Sequence, residues 1–262
     1  MSITQSPVIE LRQYTLKPGA RDTLVEIFEA EFVESQESWG TAIGGLFHDR
    51  DDPDRFVWMR GFASMQARKA ALEAFYHGPV WKQHAAAANA TMIDSDDVLL
   101  LRPTDPPHPP VAPGPRAPVG ATATLDEWVL VTVWLHDPGH GTCDWLTQDV
   151  RPGLAHALGT PVATWRTEPS ENTFPALPVR ADHAFVWTAT FADEASYAAA
   201  LVALESDPGW RRTRAELDRR AVTTQTLRLR PTTRSSHAPP RWSGATPSPP
   251  ASAAEHARPR CG

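Results

Sequence analysis

The chain has 262 residues, with 25 basic and 31 acidic side chains for a formal net charge of −6. That length suffices for two small domains with real cores, and the scattered charge forms no basic stripe, so nucleic acid is not an expected partner. No apolar run approaches the ~18 residues of a membrane helix, the opening MSITQSPVIE lacks the features of a secretory signal, and two cysteines, Cys143 and Cys261, do not make a disulfide framework. A cytoplasmic protein without membrane insertion is expected.

Residues 1–7 read as a flexible N-terminus. VIELRQYTL then alternates, with Ile9 and Leu11 on one face and Glu10, Arg12 and Tyr14 on the other, which predicts a strand. Pro18-Gly19 turns the chain, and Leu24, Ile27, Phe28 and Phe32 fall on one stripe of a helix. Gly44-Gly45 precedes a short strand at 46–48, and the polar turn DRDDPD leads into a third strand, FVWMRGF at 56–62. Helical sequence runs from about Gln66 toward Ala90, interrupted near Gly78-Pro79. DSDD at 94–97 reads as a polar turn rather than a calcium loop, and VLLLR at 98–102 is the fourth strand. The order β-α-β-β-α-β is that of a ferredoxin-like unit.

Residues 103–118 hold eight prolines in sixteen positions, a semi-stiff linker. Beyond it the pattern recurs. FVWTATF at 185–191 repeats FVWMRGF at an offset of 129, which also carries Trp81 onto Trp210. LHDPGH at 135–140 answers LKPGAR at 16–21 with Pro-Gly displaced by 120, so the second copy holds extra residues, placed at ENTFPALPVR, 171–180. Both copies close on Arg-Pro, at 102–103 and 230–231. Residues 232–262 are rich in Pro, Ser and Ala, a composition that predicts disorder.

The expected fold is α+β: two tandem ferredoxin-like modules, 8–103 and 125–231, joined by a linker at 104–124 and followed by a disordered tail at 232–262. Each four-stranded sheet has a helix-free face. Packing those faces together gives an intramolecular dimeric α/β barrel. The aromatic row Phe56, Trp58 and Phe62, with its counterpart Phe185, Trp187 and Phe191, is placed on the face that meets the other module.

VIELRQYTLKPG, DDPDRFVWMRGF and FYHGPVWKQHAAAANATMIDSDDVLLLRP resemble the NIPSNAP family, most diagnostically through Glu10, Leu11, Arg12, Tyr14 and Pro18-Gly19. The resemblance covers 8–103 and is weaker over 125–231, where EWVLVTVWL lacks the Glu-Leu-Arg-x-Tyr signature. It implies the α/β-barrel superfamily, which includes cofactor-independent monooxygenases, haem-degrading oxygenases, polyketide cyclases and binding proteins. It also implies an aromatic residue where this chain has Arg60.

If the even face of the third strand lines the barrel lumen, Arg60 is a cation among aromatics. It then either binds a carboxylate, phenolate or enolate of a small aromatic ligand, or pairs with Glu10 or another acid. Arg12 and Tyr14 either orient that ligand and move its proton, or close a network with Glu10. His48 is a candidate base at a pocket mouth, and with Arg60 and Tyr14 completes the candidate catalytic set. Arg12, Trp58, Phe62, Tyr76, His77 and Trp187 are the candidate substrate-binding residues. No cofactor is expected; haem is the alternative, with His77 or His84 as its ligand. His136, His140 and Cys143 are loosely spaced, and no metal site is assigned to them. Two readings stand: a cofactor-independent oxygenase or cyclase acting on an aromatic or polyketide-like molecule, and a non-catalytic module binding small molecules or proteins, with association of pseudo-dimers as a further option.

Overall fold

A computed structural model describes residues 6–104, 116–139 and 141–236. The first module runs β1 (Val8–Leu16), α1 (Arg21–Ile27), a π-helical turn (Phe28–Phe32), α2 (Val33–Glu37), β2 (Ala42–Asp49), β3 (Arg55–Phe62), α3 (Met65–Tyr76), α4 (Pro79–Thr91) and β4 (Met92–Pro103). The second runs β5 (Trp128–Leu135), α5 (Thr142–Trp145), a π-helical turn (Leu146–Val150), α6 (Arg151–Leu158), β6 (Val162–Thr167), β7 (Ala184–Phe191), α7 (Glu194–Ser206), α8 (Pro208–Arg219) and β8 (Thr223–Pro231). The break at Gly78-Pro79 falls where proline pre-sets the first turn of α4. Residues 94–97 are part of β4 rather than a turn. Their pairing with β1 slips in register around Thr15, which lets a polar run continue the strand.

All eight strands close into one antiparallel barrel, in the order β1-β3-β2-β8-β5-β7-β6-β4. Each module is a four-stranded sheet, and the two are joined where Phe47–Asp49 pair with Leu229–Pro231 and Leu101–Pro103 pair with Trp165–Thr167. Closure leaves neither sheet with an unpaired edge.

One packed cluster draws on every strand and on no helix: Ile9 and Leu11, Phe47, Val57 and Met59, Leu99 and Leu101, Val129, Val131 and Val133, Trp165, Val186, and Leu227 and Leu229. Only the barrel interior can gather such a set. Phe56 and Trp58 belong instead to a cluster with Leu24, Phe28, Phe32 and Phe75, beneath the helices of the first module. Phe185, Trp187 and Phe191 lie likewise beneath those of the second. The aromatic rows therefore face outward to the helices, not inward to the lumen. The reason is size. The interior of an eight-stranded barrel is just wide enough for side chains to fill, and it takes mostly aliphatic residues, whereas the sheet-to-helix layer accommodates Phe and Trp. At one end of the lumen the modules meet through reciprocal amide hydrogen bonds: Gln13 Nε2 donates to Gln225 Oε1 at 3.1 Å, and Gln225 Nε2 to Gln13 Oε1 at 3.0 Å.

Residues 232–236 are ordered, contrary to the expected disorder from 232 onward. Thr232 N donates to Leu46 O, Leu46 N to Ser235 Oγ, and Ser236 N to Gly44 O. Arg234, 3% exposed, binds Glu34, Glu29 O and Ala117 O. Arg116, in the second part of the linker, donates to Glu37 at 2.8 Å and to Ile43 O. The remaining tail, most of the proline run and His140 lie outside the described residues.

Candidate functional site

β1, β3 and α3 bring four charged groups together beneath the first module's helices. Glu10 stands opposite Arg60, and Arg12 opposite Trp58, in the β1–β3 register. Glu10 Oε2 accepts from Arg60 Nε at 2.7 Å and from Arg12 Nη1 at 2.7 Å, and Oε1 accepts from Arg68 Nε at 2.6 Å. Arg12 Nε donates to Tyr14 Oη at 3.1 Å, and its Nη2 to Ser95 O. Arg60 Nη1 donates to Gln36 Oε1 at 2.9 Å. None of these four charged residues exceeds 1% exposure.

Burial alone would raise the Glu10 carboxyl, but Arg60, Arg12 and Arg68 outweigh it and hold the group far below its ordinary value of 4.5. Burial also works against the charge on Arg12, and Tyr14 and Glu10 beside it more than restore it. Tyr14 moves the other way: burial pushes its phenol up and Arg12 offsets this only in part, so it remains a hydroxyl at neutral pH.

Next to this network lies a cavity of about 20 Å³, room for one water. Its polar walls are Tyr14, Gln36 and Trp58, and its apolar walls include Phe28, Phe32, Phe75 and Trp81. The Arg60 guanidinium sits 5.1 Å from the Trp58 ring centroid. Tyr76 also lines the cavity, and its outer side stacks on Phe174 at 5.8 Å. Phe174 belongs to the segment that lengthens the second module. The same segment supplies Asn172, whose Oδ1 accepts from Arg68 Nη1 at 2.9 Å. The site beneath one module is thus closed by the other.

Of the residues singled out from sequence, Arg12, Tyr14, Trp58, Arg60 and Tyr76 are gathered here, beneath the helices rather than in the lumen. Arg60 takes the paired alternative, with Glu10. Phe62 packs alongside, 5.6 Å from the Arg60 guanidinium, against Ala71 and Leu72 of α3. Three others stand apart. His48 lies opposite Phe56 on β2, four residues or about 13 Å along the strand from Arg60; burial lowers its pKa, and Arg21 lowers it further. His77 is exposed at the end of α3. Trp187 is in the second module, tilted against Trp134 at 5.9 Å. His84 faces Glu31 at 3.6 Å and packs edge-on against Phe32.

The sequence reading missed Arg68 and Gln36. Arg68 left a signal, since Arg68, Ala71, Leu72 and Phe75 form the buried face of α3 at i, i+3, i+4 and i+7. An arginine within such a stripe needs an anion. Gln36 left none, because the π-turn ahead of it shifts the helix phase in a way periodicity does not show.

The second module retains the frame without the chemistry. The register places Leu130, Thr132, Trp134 and Ala189 where the first has Glu10, Arg12, Tyr14 and Arg60, and Tyr197 stands at the repeat position of Arg68. Trp134 stacks on Trp210 at 6.3 Å and fills the equivalent space. A larger cleft of about 390 Å³ opens on this module between α6 and α8. It lies away from the Glu10 network, and Arg212 and Arg219 on its wall are exposed.

Residues 9–106 match the model of the NIPSNAP family. The first module is a NIPSNAP domain. No match was found among curated proteins. Across both modules the chain is similar in fold to several solved structures. One is a candidate monooxygenase from Fusobacterium nucleatum, at 9% identity and a TM-score of 0.54 over 86% of this chain and 92% of that one. Another is a candidate monooxygenase from Lactobacillus acidophilus, at 14% identity and 0.52 over 88% and 98%. A third is an anthrone oxidase-like protein, at 12% identity and 0.56 over 88% and 94%. At these identities the likeness is one of fold, that of a tandem dimeric α/β barrel whose first half is the NIPSNAP domain. Among the described residues no helix is long and apolar enough to cross a membrane.

Proposed function

We propose that the cavity beneath the helices of the NIPSNAP domain binds a small aromatic molecule as its phenolate or enolate and oxidises it with molecular oxygen, without a cofactor. The observation that carries this reading is the character of the polar wall. Tyr14 Oη accepts from Arg12, its own proton has no acceptor among the described residues, and Trp58 Nε1 is buried without a partner. These are two donors without an acceptor on residues that line the cavity, set beside a surplus of buried positive charge. Such a wall stabilises a developing oxyanion, and the aromatic residues around it suit a flat ring.

An anthrone-like substrate binds as its enolate, the ring CH₂ having lost its proton to water; the carbanion, delocalised into its oxyanion, transfers electrons to oxygen, and the peroxide so formed takes a proton back from water. The peroxide formed at that carbon loses water to leave a ketone, so one O₂ is consumed and one water released per turnover. Tyr14 would hold the oxyanion. A cavity of about 20 Å³ requires Tyr76 and Trp81 to part for a ligand of this size. The test is oxygen uptake with 1,8-dihydroxyanthrone under air, comparing the wild type with Tyr14→Phe. Loss of one donor to the oxyanion should slow turnover about 100-fold, and an unchanged rate removes the reading. The tightness of the cavity favours a second reading, non-catalytic binding, which predicts ligand-induced thermal stabilisation without oxygen uptake.

A further inference from the structure

Charge does not balance inside the NIPSNAP domain. Arg12, Arg60 and Arg68 share one carboxylate, so the network holds three cations against one anion. Its unfilled hydrogen-bonding capacity is of one kind as well. Arg60 Nη2, Arg68 Nη2 and Trp58 Nε1 are buried without a partner, and all three are donors. The acceptors of the cluster, both Glu10 oxygens and Gln36 Oε1, are occupied. Leaving buried cationic donors unmatched is costly, and the group that matches them is an acceptor carrying negative charge.

We propose that the Arg60–Arg68 end of the network is a carboxylate subsite, so that the ligand of this pocket is a fused-ring aromatic acid of at least two rings. The inference rests on the aromatic reading of the cavity and adds to it a second anionic group at a defined separation. Phe75 lines the cavity and Arg68 lies on the same face of α3 seven residues earlier, about 10 Å along the helix. A fused two-ring acid spans that distance, with its ring oxygen near Tyr14 and its carboxylate at the guanidiniums. Asn172 of the second module holds Arg68 Nη1 and leaves Nη2 as the open donor. Arginine suits this task because its planar fork matches a carboxylate.

The test is calorimetric titration of the full chain with 6-hydroxy-2-naphthoate, whose hydroxyl and carboxylate stand at opposite ends of the two rings, and with 2-naphthol, which lacks the carboxylate. The acid should bind at least about tenfold tighter, the worth of one charge-assisted hydrogen bond. In Arg68→Lys that ratio should fall below about threefold, because the charge remains while the fork is lost. Equal affinities in the wild type overturn the subsite and leave the aromatic pocket standing. Binding of neither probe overturns both. A tenfold preference that survives in Arg68→Lys removes Arg68 from the subsite. If Arg68→Lys does not fold, the wild-type ratio alone still decides.

Discussion

At the residue scale, Glu10 is the keystone of the site, and the arithmetic of buried charge says why. Glu10→Gln leaves three buried guanidiniums without an anion, whereas Arg60→Met leaves the carboxylate with two partners, Arg12 and Arg68. The first should cost about 3–5 kcal/mol and the second about 1–3 kcal/mol, an order that urea denaturation of the two variants checks. A surplus cation on the surface would be removable without penalty; this one is fully buried, so some loss is expected even there. Acid provides a second check. The folded-state pKa of Glu10 is depressed, so its contribution is complete above the ordinary value of 4.5 and fades as pH falls toward the folded value. Wild-type stability should drop by up to about 1.4 kcal/mol per pH unit below that point, and the gap to Glu10→Gln should narrow in parallel. His77→Ala, by contrast, removes an exposed side chain that touches none of this, and should leave melting temperature and oxygen uptake unchanged.

At the element scale, the strands were the legible part. The alternation of β1 and the paired FVW segments located β1, β3, β5 and β7 and their repeat. Which face pointed inward was not legible, because both faces of β3 are apolar and alternation marks two faces without ranking them. Volume decides it: the lumen receives Val57 and Met59, and the helix layer receives Phe56 and Trp58. The network of Glu10, Arg12, Tyr14 and Arg60 was therefore visible as a set of residues sharing one side, while its location was not. Nor could sequence show that Asn172 and Phe174 reach across to Arg68 and Tyr76, since such contacts join positions about a hundred residues apart. The Gly44-Gly45 pair, expected ahead of β2, lies within it at a slip in the β2–β3 register. A Cβ on Gly45 would fall 2.0 Å from the ring of Phe47, which is packed in the lumen. Gly45→Ala should therefore cost about 1–3 kcal/mol, measured as a lower denaturation midpoint at unchanged slope.

At the scale of the whole molecule, the barrel is a homodimer architecture written into one chain, and the strand order shows how it would revert. β2 pairs with β8 and β4 with β6, and by the internal repeat β8 corresponds to β4 and β6 to β2. A free copy of the first module can therefore pair its own β2 with β4 of a second copy, and its β4 with β2, around a twofold axis. It must do so, because alone it exposes Ile9, Leu11, Val57, Met59, Leu99 and Leu101 together with two unpaired strand edges. Residues 6–104 expressed alone should sediment as a dimer that dissociates on dilution, whereas the intact chain, whose linker keeps the halves at high effective concentration, should hold its barrel at any dilution. A stable monomer would show that the lumen does not drive closure. The reconstructed dimer should contain two copies of the Glu10 network per particle, yet neither would have Asn172 against Arg68 or Phe174 against Tyr76. In the single chain the second module carries Leu130, Trp134 and Ala189 in place of the network, and its Asn172 and Phe174 brace the first module's copy instead.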